Sequence, residues 1–227
     1  RIKFRMANGF NRFFFRAEYE EHENPERSSW AIMLRVVKEN WVQMVGMNLL
    51  FVLCCVPILT IPAATAGLHR VMLDRIRGRW ERPLTAFFAE FRTAFFSRAA
   101  VGLLLLLAPV SLASYAWILQ KPSVAVGIFA AMSLIVFCIT SYFYPLLVLL
   151  DVPVLKNLKN ACCMAALEWR TTLLMLLTAG VLDVLLAVLT AYALPLFAFF
   201  LCAFQVLLCC CFFQAPFHKY FENESEV

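Results

Sequence analysis

An all-α bundle of membrane-crossing helices is the fold class this sequence predicts, and three observations predict it. Apolar residues make up 63% of the 227, with 22 Phe and only 15% charged residues. The mean hydropathy is +0.77, well outside the range of soluble globular domains. Polar residues also become scarce after residue 99, so a core of this chain could not be wrapped in a water-compatible surface. The excess apolar surface is expected to face lipid.

Runs of about 20 apolar residues, enough to cross a hydrocarbon core of about 30 Å, fall at 99–119, 123–150, 172–192 and 194–213. Lipid offers no partner for backbone N–H and C=O groups, and the Leu/Val/Phe runs lack the alternation of a barrel, so the segments are expected to be helices. Ahead of them, Trp41–Thr60 is long enough to span, Pro57 and Pro62 break it, and a second run continues from Pro62 to Ile76. This reads as a Pro-broken hairpin. Its second limb carries His69, Arg70, Asp74 and Arg75, so it is short, is expected to emerge at the surface, and is either a full span or a re-entrant limb. The count is then about six membrane helices.

Charge sets the orientation. Lys and Arg number eight before residue 41, seven in 61–98, three in 151–171 and one after 213, leaving only Lys121 elsewhere. If residues 41–76 enter and return, nineteen of the twenty cations share one side, which satisfies the positive-inside bias. Both termini are therefore expected in the cytoplasm of a bacterial cell, with the chain multi-pass in the cytoplasmic membrane. The organisation is a cytoplasmic segment with an interfacial helix over 1–40, a transmembrane domain over 41–215 and a cytoplasmic tail over 216–227. About 40 residues of charged sequence precede the first apolar run, unlike a secretory signal.

Between the hairpin and the next span, Leu84, Phe87, Phe88, Phe91 and Phe95 recur at helical spacing after Pro83, with Arg92 near the end. Such a helix is expected to lie in the membrane interface, as a structural collar or as a docking surface for a partner. Phe10, Phe13, Phe14 and Phe15 with Arg12 and Arg16 form a smaller element of the same kind. Attraction to anionic headgroups explains them more simply than nucleic-acid binding, so the lipid bilayer is the expected partner and nucleic acid is not. The 151–171 segment reads as a loop, with Lys156, Lys159, Glu168, Trp169 and Arg170 around the apolar stretch Ala161–Leu167, that either caps the bundle or meets a soluble partner.

Asp183 is the main polar anomaly, because a carboxylate near the middle of 172–192 costs at least about 2.5 kcal/mol on insertion scales. It marks either a solute path or a protonated, hydrogen-bonded acid, and Asn48, Gln205, Ser111, Ser114, Tyr115 and Tyr142 are its candidate partners or plain helix–helix glue. His69, Arg70 and Asp74 form a candidate surface cluster, read as an Arg70–Asp74 ion pair at i, i+4 or as a headgroup or substrate site. H-E-x-x-H, G-x-S-x-G and P-loop patterns are all missing, so an enzyme is not expected, and no cofactor or metal site is read from the sequence. The nine cysteines lie in or beside apolar runs without a C-x-x-C pair and read as small apolar packing residues.

The stretch Asn48-Leu49-Leu50-Phe51-Val52-Leu53-Cys54-Cys55-Val56-Pro57-Ile58-Leu59-Thr60-Ile61-Pro62-Ala63, followed by Ala66-Gly67-Leu68, resembles the opening block of the YesL-like bacterial membrane proteins. The likeness continues through Arg77-Gly78-Arg79 and Phe87-Phe88 to Phe91, and resumes at Leu158-Lys159-Asn160-Ala161 and Trp169-Arg170-Thr171-Thr172. Pro62 stands where the family would have Gly. The resemblance implies no catalytic residues. It implies an accessory role beside carbohydrate ABC importers, whose subunits become the expected protein partners, with Phe87, Phe88, Phe91, Arg92, Phe95, Lys156 and Lys159 as candidate docking or interfacial residues. The chain itself lacks the E-A-A…G loop by which importer permeases grip their ATPase. The alternative is a small stand-alone transporter or lipid-handling protein that uses Asp183.

Overall fold

A computed structural model of the chain describes residues 29–78, 82–93, 95–118, 120, 122–150, 152–193 and 198–222, with side chains undescribed at 116, 183–193, 198–201, 221 and 222. Phe10, Phe13, Phe14 and Phe15 lie outside the described residues. Eight α-helices follow one another among them: α1 Ser29–Cys54, α2 Ile61–Ile76, α3 Pro83–Arg92, α4 Phe95–Ile118, α5 Pro122–Leu149, α6 Val154–Leu167, α7 Trp169–Ala193 and α8 Ala198–Phe217. A 3₁₀ turn at Ile58–Thr60 precedes α2, and a π-helical turn at His218–Glu222 is the last element among the described residues. The described residues contain no strand, as the expected all-α class requires.

Phe95–Tyr115 and Pro122–Leu149 are long and apolar enough to cross a membrane, matching the expected runs at 99–119 and 123–150. A third crossing is available if α6 and the described part of α7 count as one bent span. Helices α7 and α8 occupy the places of the runs at 172–192 and 194–213. The outer parts of α4 and α5 are exposed over Leu104, Leu107, Phe129 and Ile135, with Tyr115 and Trp117 beyond them, the order of a lipid-facing shaft ending in an interfacial aromatic girdle.

Three expectations change. Helix α1 begins at Ser29, twelve residues before the apolar run, and its backbone breaks at Asn40 (φ −126°, ψ 17°), so the expected boundary at 40 is a kink inside one element. It also ends at Cys54 rather than Thr60. Pro57 cannot continue a helix, and the turn closes on itself: Thr60 Oγ1 donates to the carbonyls of Cys54 (2.5 Å) and Pro57 (2.6 Å), while Val56 and Thr60 N–H groups bond Leu53 and Pro57. That self-sufficiency suits a turn whose Val56, Ile58 and Leu59 are exposed, apolar and free of any need for water.

The second limb is not a surface element. Thirteen of the sixteen residues of α2 are buried, and α1, α3, α4, α5 and α8 all pack on it, so it is the axis of the bundle. Small residues explain this: Ala63, Ala64, Ala66 and Gly67 let neighbours approach closely. A Cβ on Gly67 would lie 2.9 Å from the Phe87 ring and 3.0 Å from its carbonyl oxygen, so α3 seats its aromatic directly on the α2 backbone. Pro62, at the head of α2, abuts Gly102, the eighth residue of α4. Sixteen residues of α4, about 24 Å of helix, continue past that contact. Of the two readings left open for residues 62–76, this favours the re-entrant limb. Helix α2 stops at Gly78, whose φ of +69° is the left-handed C-terminal conformation that glycine adopts without strain.

The third change is at 151–171, which is no open loop. Val154–Leu167 is a helix whose Asn157, Ala161 and Met164 are buried, and it meets Trp169–Leu182 of α7 at 92°. Glu168 makes the corner with non-helical angles (φ −98°, ψ 48°).

Candidate functional site

The polar residues separate into three groups. The first runs along α2. Thr65 Oγ1 donates to the Ile61 carbonyl and His69 Nδ1–H to the Thr65 carbonyl, both at 2.8 Å, so both polar side chains are turned back onto their own helix. The His69 ring stacks on Tyr144 of α5, centroids 5.3 Å apart. Arg70 Nε and Asp74 Oδ2 form the expected i, i+4 ion pair at 3.0 Å. The cluster is nevertheless inside the protein: His69 and Asp74 are 4% and 5% exposed, which corrects its placement at the surface. An isolated buried carboxylate is costly, and Arg70 offsets that cost. Below it, Arg35 Nη2 reaches the Ile76 carbonyl at 3.3 Å and the Arg77 guanidinium lies 5.9 Å from the Phe217 ring, so cations finish the C-terminal end of α2.

The second group ties helices distant in sequence. Asn48, fully buried, accepts the Ala203 backbone N–H through Oδ1 at 2.9 Å, joining α1 to α8. This bond is helix–helix glue of the kind expected for Asn48. Gln205 is half-buried on the same helix α8. Ser111 and Ser114 donate to carbonyls of their own helix, and Tyr115 is exposed. Tyr142, by contrast, bonds Thr172 Oγ1 at 3.0 Å, and Thr172 itself reaches the Ala165 and Glu168 carbonyls at 3.1 and 2.9 Å. One hydroxyl therefore pins the α6–α7 corner to α5. Asp183 belongs to α7, and its side chain lies outside the described residues.

The third group surrounds the end of the bundle where α4 begins and α5 ends. Helix α3 turns Phe87 fully into the core, while Leu84, Phe88 and Arg92 stay exposed and Phe91 and Phe95 are half-buried. The aromatic stripe is thus continuous in contact, Phe87 on Phe91 at 6.1 Å and Phe91 on Phe95 at 5.6 Å, but it passes from core to surface instead of lying wholly in an interface. Arg98 of α4 pairs with Glu90 of α3, both largely buried, which locks α3 to the start of α4. Lys156 and Lys159 are exposed on α6. At its corner Glu168 Oε1 receives Lys219 Nζ at 2.5 Å and Tyr220 O–H at 2.8 Å. The hydrogen bond from Lys219, joined by that from Tyr220, holds the Glu168 carboxyl below the usual carboxylate range against the opposing effect of burial. The tail expected from residue 216 therefore continues α8 as a π-helical turn to Glu222, held on the corner through Lys219 and Tyr220.

Nothing in the sequence flagged the Glu168–Lys219 or Glu90–Arg98 pairs, because the first partners are 51 residues apart and the second belong to helices whose crossing the pattern does not specify. Among the described residues no group of three or more His, Cys, Asp or Glu is placed to hold a metal ion. The nine cysteines are free thiols, buried at Cys209, Cys210 and Cys211 and exposed at Cys162 and Cys163. Most of this chemistry joins helices or closes on its own helix, while Asn40 Oδ1, Arg98 Nε and the Asn157 amide are buried without a hydrogen-bond partner among the described residues.

The chain is similar, over residues 44–114, to a family described as a protein of unknown function, DUF624. That match takes in the end of α1, the turn, all of α2 and α3 and most of α4, just under a third of the chain. No curated protein and no solved structure matches it.

Proposed function

We propose that this chain is a non-enzymatic membrane subunit that assembles with a partner through the end of the bundle carrying α3 and α6, the finer affiliation being the YesL-like group and the partner a carbohydrate ABC importer. The observation that carries the reading is the split character of α3. Phe87 anchors it on the α2 backbone at 0% exposure, while Leu84, at 55%, and Phe88, at 39%, remain uncovered beside the exposed Arg92. A rigidly held helix that shows apolar and aromatic groups next to a cation is the composition of a protein interface core with a charged rim. Beside it, α6 presents Lys156 and Lys159 on the same end, because α4 and α5 form a hairpin and α3 and α6 flank its open side.

The orientation rests on the charges: nineteen of the twenty Lys and Arg fall in the sequence segments assigned to the side of α3 and α6, and the positive-inside bias makes that the cytoplasmic side of a bacterial cytoplasmic membrane. Carbohydrate uptake enters only through the family likeness, which is an association rather than a chemical argument. The test is purification of the tagged chain in mild detergent from its native host grown on a complex polysaccharide, with mass spectrometry of what stays bound. Importer subunits in near-equal amounts, lost in a Phe88→Ala/Arg92→Ala variant, support the proposal. A chain recovered alone sinks it.

A further inference from the structure

We infer that helix α6 is a membrane-surface helix that binds anionic lipid headgroups, which narrows the partner-binding face proposed above to α3. The argument starts from the right angle at Glu168. Helix α7 is a 25-residue apolar helix, and such helices follow the bilayer normal to within a tilt of about 20°. A helix bent 92° from it lies close to the membrane plane. Helix α6 sits at the end of the hairpin formed by α4 and α5, so the plane it lies in is the interface rather than the hydrocarbon centre.

Its side chains are those of an in-plane helix. Asn157, Ala161 and Met164 face the bundle and are buried. Along the outer face, Leu155, Cys162 and Ala166 share one stripe and are exposed, Leu155 to 71%. Lys159 lies on the same stripe, where its methylene stem can cover apolar surface while the ammonium reaches a phosphate. Lys156 is exposed one step round the helix, and just past the corner Trp169 is 60% exposed with the Arg170 guanidinium 5.6 Å from its ring. Exposed Leu and Trp interleaved with three cations match a bilayer interface carrying negative charge. A soluble protein surface would not be expected to combine this apolar stripe with a right-angle turn into a spanning helix. The inference rests on the membrane-subunit reading above, but the two fail separately, since one is read by partner recovery and the other by lipid contact.

Two native thiols provide the test. Cys162 lies on the apolar stripe, and Cys163 points about 100° further round, toward Lys156. The full chain, as Cys162→Ser and Cys163→Ser variants, is placed in nanodiscs of phosphatidylcholine alone or with phosphatidylglycerol. Each is reacted with a water-soluble maleimide, and rates are normalised to those in denaturing detergent. Cys162 is expected to react about tenfold more slowly than Cys163 in the phosphatidylglycerol discs, with a smaller difference in phosphatidylcholine. A Lys156→Gln/Lys159→Gln variant is expected to lose the dependence on phosphatidylglycerol. Equal rates for the two thiols in both lipids would place the face in water and overturn the inference in favour of a soluble partner. Protection of Cys162 that is identical in both lipids, with the lysine variant unchanged, would overturn the recognition of negative headgroups.

Discussion

Asn48 Oδ1 accepts the backbone N–H of Ala203 at 2.9 Å across 155 residues of chain, and the side chain that does so is fully buried. Interhelical hydrogen bonds of this kind in membrane proteins contribute on average about 0.6 and at most about 1.7 kcal/mol. Asn48→Ala removes the acceptor and opens a small void, so a loss of about 1 kcal/mol is expected in a reversible detergent-unfolding titration. If the variant unfolds where the parent does, the bond contributes nothing measurable and α1 is held to α8 by packing alone.

The contact between Gly67 and Phe87 separates four glycines by their surroundings. A methyl group at Gly67 meets the Phe87 ring and carbonyl within about 3 Å, and one at Gly102 runs into Pro62, whereas Gly46 and Gly127 have nothing within 4 Å. Gly67→Ala and Gly102→Ala are each expected to destabilise by about 1–3 kcal/mol through overpacking. Gly46→Ala and Gly127→Ala should be neutral or gain up to about 1 kcal/mol from helix propensity. Melting temperatures of the four variants in one detergent check the split, and a uniform response would contradict the packing of α3 and α4 on α2.

How much of this was legible in the sequence depends on whether the signal is local. The spans at 99–119 and 123–150 emerged as α4 and α5 because twenty apolar residues in a row need no tertiary information to be read. The Arg70–Asp74 pair was legible for the same reason, being one helical turn long. What α2 packs against was not. Its charges predicted exposure, yet Ala63, Ala64, Ala66 and Gly67 made it the most closely packed element, and the charges were satisfied in place. The apolar stretch Ala161–Leu167 between cations read as a loop because seven residues are too few to span, and a short in-plane helix leaves no length signal.

The Glu168–Lys219 contact makes the turn His218–Glu222 sensitive to acid. The carboxyl is held below its usual range by the Lys219 and Tyr220 hydrogen bonds, so it is a group whose folded form favours the ionised state. Its contribution is therefore full above the ordinary carboxylate pKa and is lost as the pH falls through the lowered folded value. The protection factors of amides 218–222, with the intrinsic pH dependence of exchange divided out, should be full above the ordinary carboxylate range, fall as the pH drops from that range through the lowered folded value, and be lost below it. A Glu168→Gln variant should show low protection at every pH, and a parent whose protection does not change with pH would mean the tail is not tethered by this ion pair.

Tyr142 and Thr172 are unequal partners in one buried hydrogen bond. The Thr172 hydroxyl donates to a backbone carbonyl at Ala165 or Glu168 and accepts from Tyr142, whose ring edge-packs on Phe213 with no exposed atoms. Tyr142→Phe keeps the ring and leaves the Thr172 donor satisfied, so it removes one net hydrogen bond, about 0.5–1.5 kcal/mol. Thr172→Val instead strands the buried Tyr142 hydroxyl and frees the corner at Glu168, which is expected to cost about 1–3 kcal/mol. The double variant should be less destabilised than the sum of the two, because the stranded hydroxyl is gone. A thermodynamic cycle in detergent unfolding measures this. Strict additivity would mean that the hydroxyls do not interact, and that the right angle between α6 and α7 is set by the backbone of Glu168 rather than by its attachment to α5.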